Sequence, residues 1–167
     1  MEAAHLAALG VGAAAAGWDL RCRRIPRWLT VPALALGLAY HAWAGGLASA
    51  ALAAGLGFAL GLLLLQLGAV GGGDVKLLAA TGAMLGFSLW FWSTAIGFMA
   101  AGLTALGQLA WQRRLGFLGS DMAAIARGWS QRGLQPHPEH NLDTPGAVTA
   151  PFAVSLGIGM ACALLLR

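Results

Sequence analysis

Three stretches of this chain carry no charge, and they fix what it can become. No Asp, Glu, Lys or Arg occurs from Trp28 to Gly73, from Leu77 to Gln112, or from Thr144 to Leu166. A soluble fold of 167 residues needs a polar outer face and has nowhere to hide such runs. Only 10% of the residues are charged, against about 25% in an ordinary soluble domain. The chain is therefore read as an integral membrane protein with one membrane-embedded domain over residues 1–167.

Helical rise sets the number of crossings. A helix gains about 1.5 Å per residue and the hydrocarbon core is about 30 Å thick. As single helices, the first run would be about 69 Å long and the second about 54 Å, so each must fold back. The first turn is expected at His41–Gly46, where a Gly pair meets Trp43. The second is expected at Gly86–Trp92, where Trp90 and Trp92 suit an interfacial aromatic belt. The expected fold is all-α with about six transmembrane helices: Ala3–Leu20, Leu29–Ala44, Leu47–Ala69, Asp74–Ser88, Phe91–Trp111 and Val148–Leu166. Gly57 and Gly61, and likewise Gly82 and Gly86, have the spacing that lets membrane helices approach closely.

Basic residues orient the bundle. Arg21, Arg23, Arg24 and Arg27 follow the first helix, Lys76 opens the fourth, and Arg113, Arg114, Arg127 and Arg132 lie between the fifth and sixth. An outside N-terminus puts all of these in the cytoplasm and only Arg167 outside, as the positive-inside rule requires. The same placement explains the net charge of +4 without nucleic acid. A first apolar run with no basic residue before it resembles a first span more than a cleaved signal peptide. In the polar loop at about 112–147, Met122, Ile125, Ala126 and Trp129 share one helical face. An amphipathic helix on the inner surface is expected there, bounded by Ser120 and Gly133.

Two acids remain to be explained. Glu2, Asp121, Glu139 and Asp143 sit at a terminus or in the polar loop, where solvation suffices. Asp19 and Asp74 sit at membrane boundaries, where a carboxylate is costly. Helices two and three go out and return between them, so both lie at one depth on the cytoplasmic side. Such a pair can do aspartic peptidase chemistry. The ionised acid takes a proton from a shared water while the protonated one polarises the scissile carbonyl. The turn Gly71-Gly72-Gly73 before Asp74 lets a peptide backbone come close. The residue types alone also admit a plainer reading, with Asp74 an N-cap and Asp19 a boundary residue paired with a nearby Arg.

The local wording favours the catalytic reading. Gly71-x-Gly73-Asp74-Val75-Lys76-Leu77 resembles the GxGD motif of the type IV prepilin peptidase family. Asp19 with Arg23-Arg24-Ile25-Pro26-Arg27-Trp28-Leu29-Thr30 resembles its first-Asp segment, with Arg27 where Asn is usual. Ala150-Pro151-Phe152-Ala153-Val154-Ser155-Leu156-Gly157 resembles its last-helix segment. The resemblance implies an intramembrane aspartic endopeptidase of the bacterial inner membrane, with Asp19 and Asp74 catalytic and no cofactor. It would remove the short basic leader of prepilins or pseudopilins, single-span precursors, at the cytoplasmic face. The size is similar to the short peptidases of tight-adherence (Flp-type) pili. The CxxC-bearing methyltransferase part of longer members is not expected here.

Gly71, Gly73 and Lys76 are candidate substrate contacts, although a helix-end lysine often only snorkels. His137, Glu139 and His140 lack metal-site spacing and are broken up by Pro136 and Pro138, so no metal is expected. Cys22 and Cys162 form neither a disulfide framework nor a zinc site. Two rivals stand beside the peptidase. One is a transporter or assembly subunit using the two acids as a proton relay. The other is a GxGD peptidase for preflagellin-like or signal-peptide substrates.

Overall fold

The computed structural model describes residues 3–22, 26–112 and 152–166. Regular structure among them is entirely α-helical: α1 (Ala3–Cys22), α2 (Arg27–Trp43), α3 (Leu47–Gln66), α4 (Gly72–Trp111) and α5 (Phe152–Leu165). Two of these, Leu47–Gln66 and Gly72–Trp111, are long and apolar enough to cross a membrane. The amphipathic helix expected within the 112–147 loop lies outside the described residues.

Side-chain size separates inside from outside. On α3 the buried stripe is Ala50, Ala53, Ala54, Gly57 and Gly61, while Leu52, Leu56, Phe58, Leu62 and Leu63 face outward. Both faces are apolar, so water does not sort them; small residues go inward because they let backbones touch. A Cβ on Gly57 would lie 2.5 Å from the Leu78 carbonyl oxygen, and one on Gly82 would lie 2.6 Å from the Ala53 carbonyl. Gly61 meets Val75 and Gly86 meets Ser49 in the same antiparallel series. The paired small-residue spacing thus forms the α3–α4 interface. Large apolar side chains remain on the outer surface, among them Leu36, Trp43, Met99, Leu103 and Trp111, a pattern that suits lipid.

The expected fourth and fifth helices form one element, and the reversal inside it takes a single residue. Gly86 has φ 69° and ψ 172°, a region essentially closed to residues with a Cβ. Leu78 and Trp90 would be about 18 Å apart along a continuous helix. Instead the Trp90 indole N–H donates to the Leu78 carbonyl at 3.2 Å, so the chain turns back at Gly86. The Ser49 hydroxyl oxygen accepts the Phe87 N–H at 2.9 Å, and the His41 ring lies 3.2 Å from the Met84 carbonyl through Nε2. Both groups capture backbone atoms that the break would otherwise leave unmatched.

The first half of α4 becomes the centre of the bundle. From Leu77 to Gly86 every residue is buried. α3 packs along it, and α2 crosses it where Gly37 meets the Ala83 backbone. The second half of α4 lies against α5, with Gly97 on Leu156. α1 closes the other side against α5 through Gly12 and Met160. Elsewhere the elements differ from expectation at their ends. α3 stops at Gln66 because Gly68 turns left-handed at φ 72°, and the α2–α3 turn is made by Gly45 at φ 78°.

Candidate active site

Asp19 and Asp74 reach the same end of the bundle by different routes. α1 carries Asp19 into its last turn. There Trp18 meets Trp28, from the first turn of α2, edge to face at 5.6 Å between ring centroids. This contact ties the end of α1 to the start of α2 on either side of the basic turn. Asp74 enters from the α3–α4 connection as the third residue of α4. Its Oδ2 accepts the Gly71 N–H at 3.0 Å, and its own N–H donates to the Gly71 carbonyl at 3.1 Å. The two bonds close a small ring that fixes the carboxylate against the helix start.

Both acids are half-buried. The helix order, with the Trp18–Trp28 contact and the antiparallel α3–α4 packing, places the two acids at the same end of the bundle. Among the described residues neither makes an ion pair. Arg21 does not pair with Asp19, while Arg23 and Arg24 lie outside the described residues.

The glycine turn differs from its expected role in one respect. The left-handed residue is Gly68, three positions upstream. Gly71 is extended, at φ −88° and ψ 163°, a conformation open to any residue. A Cβ on Gly72 would meet nothing within 4 Å, and one on Gly71 would sit 3.6 Å from Asp74 Oδ2. The fold itself does not require glycine at either position. Gly73 is half-buried in the first turn beside Asp74. Lys76 is half-buried two residues beyond Asp74, a spacing that points the two side chains to different sides of the helix.

No three metal-ligating side chains cluster among the described residues. His137, Glu139 and His140 lie outside them. Cys162 is a free thiol in α5. Sequence reasoning missed the Trp18–Trp28 contact, although a Trp next to each end of a short basic turn was a usable signal. It also missed His5 and His41, which line a cavity of about 560 Å³ at the other end of the bundle. Nothing in their local sequence links them.

The bundle has small residues inside, large apolar residues outside and two carboxylates at one end, and two of its helices are long and apolar enough to cross a membrane. The sequence profile of the Type IV leader peptidase family matches residues 6–106, a span that contains both acids. The chain belongs to that family, and it is an aspartic-type peptidase of the prepilin-processing kind. Comparison with curated proteins and with solved structures returned no match.

Proposed function

We propose that Asp19 and Asp74 are the catalytic pair, and that they cut the short basic leader from Flp-like prepilins or pseudopilins at the cytoplasmic face of the inner membrane. What supports this reading is the placement of two acids, 55 positions apart in sequence, at one end of the bundle beside a turn with open space. The chain crosses the bilayer six times in this reading, with α4 contributing one crossing on each side of Gly86 and the N-terminus outside. The basic residues at the carboxylate end then lie in the cytoplasm.

In the proposed reaction a water sits between the two carboxyl groups. The ionised one removes its proton as the oxygen attacks the scissile carbonyl carbon. The protonated one donates to the carbonyl oxygen and stabilises the tetrahedral intermediate. Collapse breaks the C–N bond as a proton passes to the leaving nitrogen. The leader departs with a new carboxylate, and the mature chain keeps a new amine. The one proton belongs to the pair rather than to either acid. Gly71 and Gly73 leave room for the substrate backbone, and Lys76, on a different side of the helix from Asp74, contacts the substrate away from the scissile bond.

The test is leader removal in membranes. Asp19→Asn and Asp74→Asn are each expected to abolish processing of a co-expressed precursor while the protein level stays normal. Normal processing by either variant removes the catalytic assignment and favours a proton relay. Processing of preflagellin-like leaders with Flp-like leaders left uncut moves the substrate class.

A further inference from the structure

The end of α1 that carries Asp19 is thinly packed. Ala8, Gly12 and Ala15 are the buried stripe of this helix, and Gly12 meets Met160 of α5. Beyond them, from Ala16 to Arg21, no residue is buried. A Cβ on Gly17 would meet nothing within 4 Å. Asp19 thus sits past the packed part of its own helix, in a turn of the kind that opens easily.

The start of α2 is seated differently. Thr30 is fully buried, and Leu29 packs on the central core. Ala33 and Gly37 continue the stripe that Thr30 begins, and Gly37 lies on the Ala83 backbone. α2 is therefore fixed to α4, the helix that Asp74 opens. Trp28 immediately precedes this anchored stretch, and Trp18 immediately precedes Asp19. Their rings meet with centroids 5.6 Å apart and planes at 82°, the arrangement in which the positive edge of one ring faces the negative face of the other. Both rings are otherwise exposed, so neither fills the core. What the contact does is carry the rigidity of α2 and α4 across to the loose end of α1.

On the catalytic reading of Asp19 and Asp74, on which this rests, we infer that Trp28 is a positioning residue: it acts through Trp18 to hold Asp19 where it works with Asp74. A shift of about 1 Å at a reacting group can cost about a hundredfold in rate. A sway of the last α1 turn therefore reaches turnover even where the fold is unchanged.

The test uses the full chain, purified in a neutral maltoside detergent and assayed at steady state on a precursor with a Flp-like basic leader and its apolar helix. Trp28→Ala is expected to lower kcat at least about tenfold while KM stays within about twofold. Trp28→Phe keeps an aromatic ring and is expected to hold kcat within about threefold of the parent. Trp18→Ala removes the same contact from the other helix, so the test stands even where one variant is poorly expressed. The double variant is expected to be no slower than the slower single one, because both changes delete one interaction. Trp43→Ala takes an exposed tryptophan from the far end of α2 and is expected to leave kcat and KM unchanged. An unchanged kcat in Trp28→Ala and Trp18→Ala overturns the positioning role, as does a loss carried by KM alone. Losses that multiply in the double variant mark two independent membrane anchors and overturn it as well. Asp19→Asn, assayed beside them, separates this from the reading beneath it: cleavage by that variant removes the catalytic assignment itself.

Discussion

Gly57 and Gly55 sit two positions apart on α3 and make a matched pair. A methyl group added at Gly57 would lie 2.5 Å from the Leu78 carbonyl oxygen and 2.9 Å from its carbon, whereas one at Gly55 would meet nothing within 4 Å. Both changes replace glycine by alanine inside the same helix, so the gain in helix propensity, about 1 kcal/mol, cancels between them. What remains is the steric term at Gly57. Relief requires α3 and α4 to separate by close to an ångström, and overpacking of that kind costs about 1–3 kcal/mol. The Leu78 carbonyl also accepts from the Thr81 hydroxyl and the Trp90 indole, so the strain reaches the reversal as well. Gly57→Ala is therefore expected to be less stable than Gly55→Ala by about 1–3 kcal/mol. Thermal unfolding of the two purified variants in one detergent measures the difference, and leader processing in membranes gives a second readout. Because Asp74 opens the helix that must move, processing is expected to fall in Gly57→Ala and to hold in Gly55→Ala. Equal melting points and equal processing would refute the close backbone contact.

Other expectations follow from single contacts. Gly86→Ala should destabilise by about 1–3 kcal/mol, since alanine is forced into a backbone region reserved for glycine; an unchanged melting midpoint would contradict the reversal there. Trp90→Phe keeps the ring but removes the N–H, and should cost about 0.5–1.5 kcal/mol in the same assay, with no loss counting against the bond to Leu78. Gly71→Ala should leave stability within about 0.5 kcal/mol, because its backbone is extended and its surroundings are open. Its processing rate should nonetheless drop if the open space serves a substrate, and normal cleavage would show that the glycine has no such role.

Much of the architecture was legible because lipid imposes simple rules. Charge-free runs too long for one helix required hairpins, and Gly45 does turn where a Gly pair met an interfacial Trp. Paired small residues at Gly57, Gly61, Gly82 and Gly86 marked close helix approach without saying between which helices, and the structure uses them between α3 and α4. The parity of the helices put Asp19 and Asp74 at one end. Less legible was anything set by individual backbone angles. A turn was expected somewhere from Gly86 to Trp92, but a reversal that uses one residue leaves no polar loop to reveal it. Leu67 and Ala69 continue the apolar pattern, so the left-handed step at Gly68 could not be read from hydropathy. The glycines before Asp74 implied unusual angles, yet Gly71 is extended. His5 and His41 line one cavity only because α1 starts and α2 finishes at the end where the Gly86 turn lies, a fact of tertiary packing.

The shortness of one segment has a physical consequence. From Gly72 to Leu85 there are 14 residues, so this half of α4 extends only about 21 Å, less than a hydrocarbon layer about 30 Å deep. It is also the centre of the bundle, buried from Leu77 to Gly86, so neighbouring helices rather than lipid surround it. In the proposed six-crossing arrangement a central helix this short leaves a recess at one of its ends, and a recess at the Asp74 end would keep the carboxylate wet although its flanking sequence is oily.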